Sequence, residues 1–182
     1  MHLWHDVSPG PEPPDVIHAV VEIPKGSRNK YELSKQTGLI SLDRVLYSSL
    51  HYPGDYGLIP QTYYDDGDPL DILVMTNSPT FPGCLLEVRP IGLFRMTDRD
   101  QPDDKVLAVL KSDPFFAEYK DIGDIPQHFL AEMAHFFSVY KDLELVRTQG
   151  LGWEPAAAAR QAIRHAMRLY QKAYAQGAEV IK

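Results

Sequence analysis

A change of period along the chain predicts an α+β fold. Up to about residue 111, short apolar runs alternate with turn residues; beyond Pro126, apolar side chains recur every three or four positions. Strands gathered ahead of helices argue an α+β domain, and several short strands argue a small barrel or sandwich for the β part. The 182 residues are read as a single domain, 1–182, with residues 1–15 as an N-terminal arm. Folding at this length buries about 70% of the surface exposed by the unfolded chain, so one core needs no staple.

Taken in order, the predicted strands are Val16 to Ile23, Lys30 to Leu33, Leu39 to Leu42, Leu70 to Met75, Leu85 to Met96 and Lys105 to Leu110. Turn clusters such as Lys25-Gly26-Ser27-Arg28 and Thr80-Phe81-Pro82-Gly83 bound them. An amphipathic helix follows Pro126, its apolar face being Phe129, Leu130, Met133, Phe136, Phe137, Tyr140 and Leu143. A second helix is predicted to open at Glu154-Pro155, where proline suits the first helical position. It should run through Ile163, Met167 and Tyr170 to about Gly177.

Composition narrows the function. With 25 acidic against 18 basic residues the formal charge is −7, which opposes non-specific association with nucleic acid or an anionic membrane. Met1 to Val16 holds four prolines and no lysine or arginine, and no apolar run suits a signal segment or a membrane span, so a soluble, unprocessed, cytoplasmic protein is expected. The single Cys84 rules out an intrachain disulfide and is read as a small buried hydrophobe. An acidic protein that handles a polyanion needs metal cations between the two.

The densest chemistry lies in Asp65-Asp66-Gly67-Asp68-Pro69-Leu70-Asp71. Asp66 and Asp68 face the same way on an extended chain, and the Gly67 and Pro69 backbone can bring Asp71 round to them. Asp-Gly and Asp-Pro are also ordinary surface-turn chemistry. An EF-hand would need an oxygen ligand where Leu70 stands and a glycine where Asp71 stands, so that loop is excluded. A phosphatase with an aspartyl nucleophile should place its first aspartate at the end of an apolar strand, whereas Gln61-Thr62-Tyr63-Tyr64 comes first here.

Asp98, Asp103 and Asp104, followed by Lys105, form a second acidic group after the strand ending at Met96. If the two groups meet, each carboxylate pair about 5 Å apart repels by roughly 3 kcal/mol at an effective dielectric of 20, and metal ions or protonation must relieve it. Lys30, Arg44, Lys105 and Lys141 are candidates for phosphate oxygens, arginine being able to bond two at once. Tyr52-Pro53-Gly54-Asp55-Tyr56-Gly57 reads as a turn-rich aromatic segment.

These segments together resemble the family of soluble inorganic pyrophosphatases with a small β-barrel fold. The matching pieces are Val21-Glu22-Ile23-Pro24, Lys30-Tyr31-Glu32, Asp43-Arg44, Tyr52-Pro53 with Tyr56-Gly57, and Asp66-Gly67-Asp68-Pro69-Leu70-Asp71. Met96-Thr97-Asp98, Asp103-Asp104-Lys105, His135-Phe136-Phe137 and Tyr140-Lys141-Asp142 continue the family's order. The resemblance implies a five-stranded OB-like β-barrel with additional short strands and two C-terminal helices outside. It implies Mg²⁺ as cofactor, with Mn²⁺ able to substitute and Ca²⁺ inhibitory. The implied reaction is hydrolysis of pyrophosphate to two phosphates by a metal-bridged water, with Asp68 as general base.

By position, the resemblance assigns Asp66, Asp71 and Asp103 to the first metal, Asp71 also to a second, and Asp98 with Asp103 to a third. Glu32 would serve a metal that arrives with substrate. Lys30, Arg44, Tyr56, Lys105, Tyr140 and Lys141 match phosphate contacts, and Glu22 a polar wall of the catalytic site. The D-x-D-x-x-D and D-x-K spacings select Asp66 over Asp65 and Asp103 over Asp104, both neighbours remaining alternatives. A homo-oligomer is implied, a hexamer before a dimer. A non-catalytic OB-type nucleic-acid module is the rival of another class, and it calls for a basic groove lined with stacking aromatics.

Overall fold

The computed structural model describes residues 1–174. Nine strands and two α-helices follow the N-terminal arm. The strands are β1 (Ile17–Ile23), β2 (Asn29–Leu33), β3 (Ile40–Val45), β4 (Asp55–Leu58), β5 (Asp71–Met75), β6 (Leu85–Asp98), β7 (Gln101–Pro102), β8 (Lys105–Leu110) and β9 (Thr148–Pro155). Helices α1 (Gln127–Val139) and α2 (Ala156–Tyr174) flank β9 in the chain. The predicted helix end near Gly177 lies outside the described residues. No described helix is long and apolar enough to cross a membrane.

The expected five-stranded OB-like barrel is corrected by the strand pairing. Seven strands share one mixed sheet in the order β1-β4-β5-β8-β6-β7, with β9 also on β6 and a further pairing between β1 and β6. β5 and β8 run parallel, and the other pairs in this sheet are antiparallel. β2 and β3 form a separate two-stranded sheet. The physical reason is the 14-residue length of β6, which lets one strand pair with β1, β7, β8 and β9 at different points.

The central strands are apolar without interruption because both of their faces are covered. Ile72 and Val74 of β5, with Val106 and Ala108 of β8, pack with Ala159, Ala162, Ile163 and Ala166 of α2. The alternate residues Leu73, Met75, Leu107 and Val109 pack instead with Leu130, Met133, Phe136 and Phe137 of α1. Alanines along the buried stripe of α2 let that helix lie close to the strands. At about 25 cal/mol per Å² of apolar surface, these two layers are the principal stabilisation of the fold.

Three local expectations are corrected. Glu154 and Pro155 end β9, and α2 begins only at Ala156. Leu143 is not on the buried face of a helix but 65% exposed in a 3-10 turn, Asp142–Glu144. Asp55–Leu58 is a strand, and Gly57 is required there by close approach: a Cβ would stand 1.9 Å from the Val20 carbonyl oxygen across the β1–β4 pair.

Candidate active site

The sheet register assembles the site at one end. Asp71 and Lys105 open the parallel strands β5 and β8 and are direct register partners. Asp98 closes β6, which runs back antiparallel to β8, so its end returns to where Lys105 begins. Lys30 and Arg44 are register partners on the β2–β3 hairpin. A cavity of about 650 Å³ lies between these elements.

Its lining includes Asp66, Asp68, Asp71, Asp98, Asp103 and Glu32. Lys30, Arg44, Lys105 and Lys141 face it too, as do Glu22, Tyr56 and Tyr140. The structure therefore brings together every site residue predicted above. Of the two alternatives, Asp104 turns away from the cavity and accepts from the Tyr64 hydroxyl at 2.7 Å and from Arg95 at 2.5 Å. Asp65 stands on the lining, 4.0 Å from His165 Nε2. Sequence reading missed Trp4 and Lys35, which also line the cavity. No metal or phosphate pattern marks either.

Most carboxylates of the cavity are engaged by cations or a phenol. The ammonium of Lys105, buried at 2% exposure, bonds Asp71 and reaches Asp103 Oδ1 at 2.5 Å. Burial works against its charge, yet Asp71 and Asp103 outweigh burial and hold its pKa above the ordinary lysine range. The Tyr56 hydroxyl donates to Asp71 Oδ2 at 2.5 Å. Burial, then the carboxylates of Asp71 and Asp103, push the Tyr56 pKa far up, so this phenol keeps its proton and remains a donor. Tyr140 is raised likewise by burial and then by Asp103 and Asp98.

Lys141 Nζ meets Asp98 Oδ2 at 2.5 Å. Lys30 pairs with Glu32 and stands 3.7 Å from Asp43, while Arg44 is held by Asp43 and, at 2.8 Å, by Glu144. Lys35 pairs with Asp68. Among the described residues Asp66 has no cation partner: it accepts the Asp68 backbone N–H, at 3.0 Å. Removal from water, with Asp71, Asp103 and Asp68 nearby, pushes its carboxyl up to about 6.

Among the described residues, no three His, Cys, Asp or Glu side chains converge in a ready-made metal-ligating array. The donor set nevertheless fits a hard divalent cation. It is made of carboxylate oxygens, Asp98 Oδ1 is buried without a hydrogen-bond partner, and Asp66 is held toward protonation by burial and its neighbours' charge.

Glu22 behaves differently. Its carboxylate is buried on β1 and accepts the Leu33 N–H at 2.7 Å. Burial, then the charge of Asp71, raise its pKa from 4.5 to about 8. The folded protein thus holds this proton more tightly than the unfolded chain. The resulting stabilisation is complete below pH 4.5 and is lost as pH rises through about 8. In metal-free protein, Glu22→Gln should flatten the stability profile across that window, a change of at most several kcal/mol at about 1.4 kcal/mol per pKa unit. Denaturant melts in chelator check this, and an unchanged slope would assign the dependence to other groups.

A cavity in which carboxylates face lysines, an arginine and phenols holds the groups that the metal-assisted phosphoryl-transfer class of hydrolases uses. Comparison with known proteins makes the class specific. The model of the inorganic pyrophosphatase family matches residues 19–171. An inorganic pyrophosphatase of Haloferax volcanii is 52% identical over 176 residues, covering 96% of this chain and 99% of that one. Soluble inorganic pyrophosphatase 4 of Arabidopsis thaliana is 48% identical over 169 residues, 93% of this chain and 78% of its own. The crystal structure of inorganic pyrophosphatase from Thermus thermophilus superposes with a TM-score of 0.91 at 41% identity, covering 94% of this chain and 99% of that one. This chain belongs to the inorganic pyrophosphatase family and is an enzyme, a hydrolase.

Proposed function

We propose that this enzyme hydrolyses inorganic pyrophosphate to two phosphates, with Mg²⁺ as its divalent cation, in the cavity at the end of the sheet. The observation that carries this reading is the convergence of Asp66, Asp68, Asp71, Asp98 and Asp103 with Lys30, Arg44 and Lys141 on one cavity. Carboxylates for cations and cations for phosphate oxygens are both present, whereas a basic groove of stacking aromatics, as a nucleic-acid module requires, is not what this acidic cavity offers.

Asp66, Asp71 and Asp103 would hold a first cation, Asp71 also a second, Asp98 and Asp103 a third, and Glu32 one that enters with substrate. Divalent cations in such a site supply neutralisation of the pyrophosphate charge and a water that is more acidic than bulk water. Lys30, Arg44, Lys141 and the Tyr140 hydroxyl bind the phosphate oxygens, the guanidinium being pre-oriented by Asp43 and Glu144. Tyr56, kept protonated, donates from the cavity wall, and Lys105 binds a phosphate oxygen beside Asp71. As the water oxygen bonds to phosphorus and the bridging P–O bond breaks, Asp68 accepts the water's proton at a carboxylate oxygen. Glu22 closes the wall behind Asp71.

Oxygen ligands alone favour Mg²⁺, allow Mn²⁺, and admit Ca²⁺ with looser geometry, so Ca²⁺ should inhibit. As the resemblance implies, the enzyme is read as a homo-oligomer, a hexamer rather than a dimer, working in the cytoplasm. The decisive experiment compares substrates at one Mg²⁺ concentration. Pyrophosphate should be cleaved at least about 10²-fold faster than ATP or a phosphate monoester, a gap of about 2.7 kcal/mol in barrier. Comparable rates on all three would refute the assignment.

A further inference from the structure

We infer that Trp4, in the N-terminal arm outside the family match, is a positioning residue for the aspartate loop, so that the arm completes the active site. The inference rests on the metal-holding role proposed for Asp66 and Asp71. Trp4 is 2% exposed and lines the cavity. Its indole Nε1–H donates to the Thr62 carbonyl at 2.7 Å, and its own carbonyl accepts the Gln61 N–H at 2.9 Å. Gln61 Nε2 also donates to the His5 carbonyl at 3.2 Å.

These bonds grip the neck of the loop. Gln61 holds a left-handed φ of 51°, a conformation that a side-chain-bearing residue keeps only where its surroundings impose it. One residue on, the Thr62 hydroxyl donates to the Ile59 carbonyl at 2.6 Å and accepts the Leu70 N–H at 2.9 Å, tying the entry of the loop to its exit. Asp66 and Asp68 hang between, and Asp71 follows Leu70 directly. The tip is held by Lys35 of the β2–β3 turn, which lies 6.0 Å from the Trp4 ring centroid, pairs with Asp68 and donates to the Gly67 carbonyl at 3.1 Å. His2 in turn meets the Lys35 carbonyl at 3.1 Å.

Loss of the indole therefore loosens both neck and tip without removing a ligand. Outer contacts that orient metal ligands are typically worth about 10- to 100-fold in metal affinity. Calorimetric Mg²⁺ titration without substrate should show Trp4→Ala binding at least about tenfold more weakly than the parent, and Trp4→Phe, which keeps a ring but lacks the N–H, about threefold more weakly. Phe116→Ala, which opens a cavity in the core away from the site, should lower the melting temperature yet keep parent Mg²⁺ affinity. Parent affinity in Trp4→Ala, with Asp71→Asn having lost it, overturns the inference and leaves the site reading intact. Should Trp4→Ala not fold, parent affinity in Trp4→Phe overturns it equally. Parent affinity in Asp71→Asn overturns the site reading and this inference with it.

Discussion

Asp71→Asn should lower pyrophosphate turnover by about 10³-fold or more, because it removes a full charge where two cations are proposed to meet and each such contact carries several kcal/mol of charge stabilisation. Added Mg²⁺ should restore little. The fold should survive, since Lys105 keeps Asp103 as a partner and the amide oxygen of the substituted side chain can still accept from Tyr56. Steady-state rates over a Mg²⁺ series, with melting curves alongside, check this. A variant that melts like the parent and turns over like it would reduce the aspartate loop to a surface turn.

Asp68→Asn should separate chemistry from metal binding. The proposed role of Asp68 is to take the proton, so its loss should slow turnover by about 10² to 10⁴, the usual worth of general-base assistance, while Mg²⁺ affinity stays near that of the parent. Its ion pair with Lys35 is half exposed on both sides, so breaking it costs at most about 1 kcal/mol of stability. The pH–rate profile should change shape, because asparagine cannot accept a proton. Asp66→Asn is the contrast, with Mg²⁺ affinity falling first. If Asp68→Asn loses metal and Asp66→Asn keeps it, the two roles are exchanged.

The strands that bury both faces were readable as apolar runs, and α1 was readable from its spacing, because in both cases the local pattern is also the packing pattern. β9 was not: Gly150, Gly152 and Pro155 break any alternation, and the strand exists because β6 offers it a partner. At Gly150 a Cβ would stand 2.9 Å from the Phe94 ring, a reason for glycine that only the packing discloses. β6 likewise carried no sign that it would recruit four neighbours, and the expected barrel description failed there.

The acidic and basic residues that line the cavity stood out in the sequence by type and spacing, Glu22 and Glu32 only through the family resemblance, and no local pattern showed that they meet. Asp71 meets Lys105 through a parallel register between segments 34 residues apart, and Lys30 meets Arg44 through a hairpin register. Asp103 and Asp104 have the same chemistry in sequence; the link between β7 and β8 turns one to the cavity and the other to Tyr64 and Arg95. Trp4 and Lys35 look like an arm aromatic and a turn lysine until the fold lays them against the aspartate loop.

This cavity should hydrolyse pyrophosphate only with divalent cations held by its carboxylates. Phosphate release from pyrophosphate by the purified enzyme, first in excess chelator and then with Mg²⁺ restored, tests it most directly. The expected result is a rate near background in chelator and full recovery with Mg²⁺; rapid release in chelator, or none with Mg²⁺ present, would contradict the account.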